Sequence, residues 1–594
     1  MHVLIHKNQI EQGITCYREK QYDQALQLLL PHVNSSSNAN LLYVVAQSFR
    51  WIKNFPQSLE VYNRLISLHR HPAFYCGYAG LLIDIGEVEN SFFYFDLAIK
   101  IDSRYFDAHY NKAIALHKSN RIEDALVSYL QSHRIVKEHE GAILGAGQCY
   151  AELGGLDKAI SFFEGFIKNN NQFEKVKYQL GKFYFDINSY EKAELFFKEC
   201  SELNPDNRIY ILAYVSALES LSLHEKALKQ TLNLLKYYHF DHEIHNKVFD
   251  FLWNSNSVDC CVEYRKAYQT NSSDPLMIDY ARKLIKLNDL EMAEKVLIDY
   301  ISQANDEELP FIMLAHVLRE SGKFKQALLV LDKVPISGNV NEYAVFERVV
   351  TLLCLGEYQK ALLNAEMMYF QSNPTQGIIA LYASVLRICN RQSEYSEIFN
   401  FNELIKVYDL LGEVGESLHN ELVRDVLAMH GSDRHPVEQS LRSGSQTKGE
   451  LFNQDFPSIL KLKGKLTSII EAHIKSSRSE LRELFCLSDV DLFKFSGSWS
   501  INLRDNGFHI NHYHNAGVFS GCYYLVTSGV SNVGEGWLQF GQPELSRWLE
   551  LDAEYLVRPE AGRLVIFPSY MWHGTTPMSV SGQRLTIAFD IVPI

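Results

Sequence analysis

The sequence predicts an α+β multidomain chain, in which an all-α array of helix pairs is followed by an all-β barrel or jelly roll. Three observations carry this expectation. A small residue recurs every 34 positions through the N-terminal part of the chain. After about residue 493 the pattern changes to short aromatic and β-branched segments broken by Gly, Pro and Asn. Finally, 594 residues are too many for one hydrophobic core, and a hydrophobic fraction of 46% is ordinary for a folded protein.

The repeat is clearest at Ala125, Ala159, Ala193 and Ala227. Each alanine follows another small residue by about twelve positions, as with Ala113, Gly147 and Gly181. Small residues at such points let the two helices of a pair approach closely, while flanking Leu, Phe and Tyr fill the seam. The series runs back through Ser91, Ser58 and Ala25, and forward, less regularly, through Cys261, Ala293, Ala327 and Ala361. About eleven helix pairs are expected over 9–375, with 376–410 as a worn twelfth. The small and aromatic positions of the units between 106 and 207, closed by Asn204-Pro205, resemble the tetratricopeptide repeat family. The resemblance implies a curved superhelix whose concave face binds a peptide or protein surface; a purely architectural array is the other reading.

From 411 to 480 the character shifts. His435-Pro436 and the turn-rich stretch 440–447 interrupt the helical period, and 456–474 reads as one more amphipathic helix. The expected organisation is therefore 1–410 as helical repeats, 411–480 as a helical connecting region and 481–594 as the β domain.

Strands are expected at 493–503, 508–514, 518–526, 536–540, 554–559, 563–567 and 584–592. No helical crossover separates them, which favours a compact barrel or jelly roll over a βαβ fold.

His512 and His514 lie two residues apart on one of these strands. The strand period is two, so both imidazoles point to one face and can converge on one ion. His573 offers a third imidazole that a folded sheet can bring to the same place, and such a cluster suits iron, zinc, nickel or copper. Ordinary surface or core histidines are the competing reading. His509, offset by three from His512, falls on the opposite face of a regular strand and reads as structural or exposed. Arg584 and Thr586 share a strand face, so a guanidinium fork and a hydroxyl could grip one carboxylate; a routine surface arginine is the alternative.

Several separated motifs, in order, then carry a second resemblance: 435–447; 508–515 around His512 and His514; Ser520 to Leu525; Gly536 to Phe540; Arg558 to Arg563; Phe567 to Gly574; and Arg584 to Thr586. Residues 435–594 resemble the 2-oxoglutarate/iron(II) oxygenase group related to prolyl hydroxylases, whose core is a double-stranded β-helix. The resemblance implies His512 as the first metal ligand and His573 as the last. It implies Arg584 on the remote carboxylate of 2-oxoglutarate, helped by Thr586 and a tyrosine from Tyr523-Tyr524.

One position departs from the wider superfamily, which places an aspartate where this chain has His514. Three readings follow: His514 is the third ligand; water or an anion fills that slot with His514 behind it; or a carboxylate comes from elsewhere, Asp590 being the inward candidate. A third imidazole in place of a carboxylate leaves the centre one unit more positive.

The implied cofactors are Fe(II), 2-oxoglutarate and O2, with ascorbate as a stimulant. The implied activity is that of a dioxygenase releasing succinate and carbon dioxide. A protein or peptide side chain held by the repeats is the expected substrate, against two alternatives: a small or carrier-bound metabolite, or a non-catalytic scaffold with a degenerate barrel. Phe567 and Trp572 could exclude water from the centre, although Trp572 reads equally well as core packing.

The net charge of -14 argues against a dedicated nucleic-acid binder. No stretch reaches the roughly 18 apolar residues of a membrane span, and the N-terminal residues lack a secretory pattern. The ten cysteines are scattered without a C-x-x-C pair, as in a reducing compartment, so a cytoplasmic location is expected.

Overall fold

The structure is a computed structural model describing residues 2–33, 37–168, 173–303, 307–334, 341–370, 374–430, 439–447, 449–477, 493–528, 534–578 and 582–593. It divides into two compact units, Met1–Tyr237 and Tyr238–Ile594. Among the described residues, helices α1 (His2–Arg18) to α24 (Gln392–Ile398) form consecutive pairs, those up to α14 (His224–Leu234) in the first unit and the rest in the second.

Local sequence explains the pairs. The first helix of each ends on one residue in the left-handed region, the series running from Lys20 and Lys53 through Gly86, Asn120, Gly154 and Asn188 to Asn390. Most members of the series are Gly or Asn, the residues that accept this conformation at least cost. The small residues of the 34-residue period mark close approach: a Cβ on Gly147 would stand 2.1 Å from Phe163 Cζ, and one on Gly181 2.6 Å from Phe197 Cε1. Ala125, Ala159, Ala193 and Ala227 are fully buried in the same seams.

In the second unit, the pairs from α15 (His242–Asn254) onward lead into an antiparallel sheet. Its strands are β1 (Lys406–Asp409), β2 (Leu441–Gln446), β3 (Phe493–His512), β4 (Phe519–Thr527), β5 (Leu538–Phe540), β6 (Tyr555–Val557), β7 (Arg563–Pro568), β8 (His573–Thr575) and β9 (Arg584–Pro593). The order is β1-β7-β4-β9-β3-β8-β5-β6, with β2 on β3. The α+β class stands, and 456–474 is indeed helical, as α28 (Pro457–Ser476).

The sheet is longer than its expected limits. β1 lies before residue 410 and pairs with β7, and β2 occupies the stretch that reads as a turn. Ser443 in that stretch has φ 52°, and a Cβ on Gly444 would stand 2.5 Å from Asn502 O, so turn residues there serve a bulge within a strand. The strands expected at 493–503 and 508–514 merge into β3 through an irregularity at Asn506, whose φ is 59°. His435-Pro436 lies outside the described residues.

Alternation along the strands divides the core into two layers. Tyr523, Leu525, Leu564, Ile566 and Phe589 pack under α27 (Glu416–Ala428) and α28. Tyr524, Val565, Phe567, Met571 and Trp572 pack with α23 (Gln376–Ile388), whose residues from Gln376 to Leu386 are all buried. The join is polar as well as apolar: Trp572 Nε1 donates to Ser384 Oγ at 3.1 Å, Tyr570 Oη to Ile398 O at 2.9 Å and Arg387 Nη1 to Gly541 O at 2.7 Å. Among the described residues, no helix is long and apolar enough to cross a membrane.

Candidate metal centre

β3 and β8 run antiparallel with His512 opposite His573, which puts both side chains on one face of the sheet. His514 follows two residues after His512, its backbone N–H donating to Ser569 O at 2.9 Å. One nitrogen from each of His512, His514 and His573 lies within 4.8 Å of the other two. His512 Nε2 and His514 Nε2 are 3.1 Å apart. Two imidazoles bonded at about 2.1 Å and a right angle to one ion would have their nitrogens about 3.0 Å apart, so the spacing suits one first-row metal.

Each ring is turned by a bond at its other nitrogen. Nδ1 of His512 faces Ile510 O at 2.8 Å, and Nδ1 of His573 faces Met571 O at 2.9 Å. Nδ1 of His514 faces Asp590 Oδ1 at 2.5 Å, and Ser520 Oγ donates to the same oxygen at 2.6 Å. As hydrogen-bond donors through Nδ1, all three imidazoles present an Nε2 lone pair inward. Burial, then the nearby His514 ring, lowers the His512 pKa to about 3, and burial and His512 drive that of His573 well down. Asp590, the candidate carboxylate ligand, instead stands behind His514. Phe567 closes one side, its ring centroid 4.6 Å from that of His573.

Arg584 is only 3% exposed, yet no carboxylate pairs with it among the described residues. Its Nη1 donates to Thr575 Oγ1 at 3.3 Å and its Nη2 to Tyr524 Oη at 3.2 Å. Arg584 Nε and Thr586 Oγ1 are buried without a hydrogen-bond partner. A buried guanidinium left in this state is costly, and an anion entering beside it relieves the cost.

Tyr523 and Tyr524 part company here. Strand alternation sends Tyr524 to Arg584, whereas Tyr523 faces α27 and donates from Oη to His419 Nδ1 at 3.2 Å. Tyr523 is therefore removed from the Arg584 pocket. Trp572 likewise points into α23 and not toward the imidazoles.

His509 is neither exposed nor on the far face. A register shift between His509 and His512 sets His509 opposite Thr575, two residues from His573 on β8, and so returns its ring to the face that carries the imidazoles. Its ring centroid is 6.0 Å from that of His512, and its Nδ1 meets Ser440 Oγ at 3.0 Å. An offset of three conceals this, because only the bulge makes it even. Ser440 and Ser520 also escape a reading based on ligand types, since a lone serine in a strand carries no signal of its own.

Comparison with known proteins gives two family matches: "Putative 2OG-Fe(II) oxygenase" over residues 497–590 and the tetratricopeptide repeat over 174–207. A TPR repeat-containing protein, MJ1428 of Methanocaldococcus jannaschii, is 22% identical over 244 residues, 38% of this chain; the match spans 42% of that relative's length. Among solved structures, a tetratricopeptide repeat protein from Parabacteroides merdae is 12% identical over 53% of this chain and 98% of its own, with a TM-score of 0.27. YrrB is 18% identical over 29% of this chain and 88% of its own, with a TM-score of 0.25. The chain thus unites tetratricopeptide repeats with a C-terminal domain of the 2OG-Fe(II) oxygenase family.

Proposed function

We propose that the protein is an iron(II)- and 2-oxoglutarate-dependent dioxygenase that hydroxylates a protein or peptide side chain. The observation that carries the proposal is the convergence of three Nε2 atoms beside a buried, carboxylate-free Arg584. When bound, the iron and 2-oxoglutarate supply the oxidising chemistry, with O2 consumed and succinate and carbon dioxide as coproducts.

The chain's own residues hold and orient. His512, His514 and His573 are the metal ligands, and the Asp590 carboxylate fixes the His514 ring and strengthens its Nε2 as a donor. Arg584, Thr586 and Tyr524 receive the remote carboxylate of the cosubstrate, where the guanidinium meets its missing counter-charge. Phe567 and Phe540 wall the centre against water.

The repeats are read as the arm that engages the polypeptide. In the first unit a cavity of about 250 Å³ is lined by Tyr43, Gln47, Arg50, Asp107 and Asn111, side chains suited to backbone amides and carboxylates. The nine described cysteines are free, which supports a cytoplasmic setting. The test is succinate release from 2-oxoglutarate under iron(II), ascorbate and oxygen, with peptide pools added. Turnover that His573→Ala abolishes supports the reading, and absence of succinate with every pool overturns it.

A further inference from the structure

Among the described residues of 439–593, four side-chain polar atoms are buried without a partner: His473 Nε2, His509 Nε2, Arg584 Nε and Thr586 Oγ1. Burying a polar atom unpaired costs free energy, so such atoms are rare in folded proteins and each one asks for a reason. His473 belongs to α28 and packs against Phe519 on the other face of the sheet. Arg584 and Thr586 belong to the anion pocket already described, which leaves His509.

The ladder between β3 and β8 locates it. His512 faces His573 on one rung, and His509 faces Thr575 on the next inward rung, about 7 Å along the strand. Thr575 Oγ1 in turn accepts from Arg584 Nη1 at 3.3 Å. His509 therefore stands between the imidazole cluster and the guanidinium, the interval that a metal-chelating 2-oxo dicarboxylic acid has to span.

We infer that His509 is a binding residue for the cosubstrate, donating from Nε2 to its remote carboxylate alongside Arg584 and Thr586. This rests on the proposed cosubstrate and goes beyond the Arg584, Thr586 and Tyr524 set.

Ser440 fixes the tautomer. Its Oγ lies 3.0 Å from His509 Nδ1 and 3.5 Å from His512 Nε2. Once His512 Nε2 serves as a ligand it can no longer accept a proton, so the hydroxyl donates to His509 Nδ1. The His509 proton is then on Nε2, where it faces the pocket as a donor. Filling the metal site thus prepares the third contact to the dicarboxylate.

The test compares His509→Gln with His509→Asn in the full chain. A Gln amide reaches roughly the place of Nε2, whereas an Asn amide reaches only that of Nδ1 and keeps the Ser440 bond alone. Calorimetry without oxygen, on protein loaded with Mn(II), would measure binding of 2-oxoglutarate and of 2-oxobutyrate, which chelates a metal but lacks the remote carboxylate. The expected result is at least tenfold weaker 2-oxoglutarate binding in His509→Asn, a loss of no more than about threefold in His509→Gln, unchanged 2-oxobutyrate binding and unchanged Mn(II) affinity in both.

Equal 2-oxoglutarate affinity in wild type and His509→Asn would overturn the inference while leaving the proposed function intact. So would equal losses in the two variants, parallel loss of 2-oxobutyrate, or loss of Mn(II). Failure of the metal-loaded wild type itself to take up 2-oxoglutarate would remove the proposed function, and the inference with it.

Discussion

Asp590 lies behind His514: its Oδ1 faces His514 Nδ1 at 2.5 Å and also accepts from Ser520 Oγ at 2.6 Å. A carboxylate on the far nitrogen of a ligating imidazole holds the ring in place and makes its inner nitrogen a better donor. In the proposed centre, the negative charge absent from the third ligand position is thereby supplied one residue further out. Asp590→Asn should keep the hydrogen bond but lose that charge, weakening metal binding about 10- to 100-fold. A metal titration against a competing chelator measures it, and an unchanged affinity would detach Asp590 from the centre.

Arg584 is buried with an unpartnered Nε, a cost that the proposed anion would relieve. Arg584→Met removes an unpaired buried charge while filling similar volume. It should raise the unfolding free energy of the metal-free, ligand-free chain by about 1–3 kcal/mol. The same substitution should abolish the thermal stabilisation that 2-oxoglutarate gives the metal-loaded protein. Denaturant titration and a thermal-shift series check the two halves; a destabilised empty variant would mean that Arg584 is structural.

Acid should weaken the second unit through His473. Burial, aided by the Lys406 charge, lowers its pKa to about 4, against roughly 6.5 in an unfolded chain. Below pH 6.5 the unfolded state takes up a proton that the folded state refuses, so stability falls as pH drops from 6.5 toward 4 and levels off below that. At pH 5 the loss is about 2 kcal/mol from this group. His473→Leu should flatten that part of the stability profile, measured by denaturant unfolding of metal-free protein at pH 7.5 and 5; an unchanged pH dependence would contradict it.

The sheet depends on the helices that cover it. A fragment 411–594 lacks β1 and exposes the apolar face that α23 covers, including Val565, Tyr570 and Trp572. It should fail to fold, whereas 238–594 should give a cooperative unfolding transition. Circular dichroism and limited proteolysis distinguish the two, and a well-folded 411–594 would refute the dependence.

Much of this was legible from residue types and spacing. The 34-residue period works because Gly147 and Gly181 have no room for a Cβ, so close packing writes itself into the sequence. The left-handed residues that close each first helix, mostly Gly and Asn, carry the same period. His512, His514, His573 and Arg584 stand out because the proposed metal and carboxylate binding would draw on few side-chain types, and the structure brings the three imidazoles together. What stayed hidden depends on register. The bulge that turns His509 inward, the choice of Tyr524 over Tyr523 and the strand built from Ser443 and Gly444 are consequences of pairing between distant segments, which no local pattern records.

The most direct measurement is X-ray absorption at the iron edge of the Fe(II)-loaded chain without oxygen, for wild type and His514→Ala. The predicted result is three imidazole nitrogens on one iron in the wild type, two in the variant, and added oxygen ligation when 2-oxoglutarate is supplied. Iron that keeps the same imidazole count without His514, or a chain that retains no iron, would contradict a centre built from His512, His514 and His573.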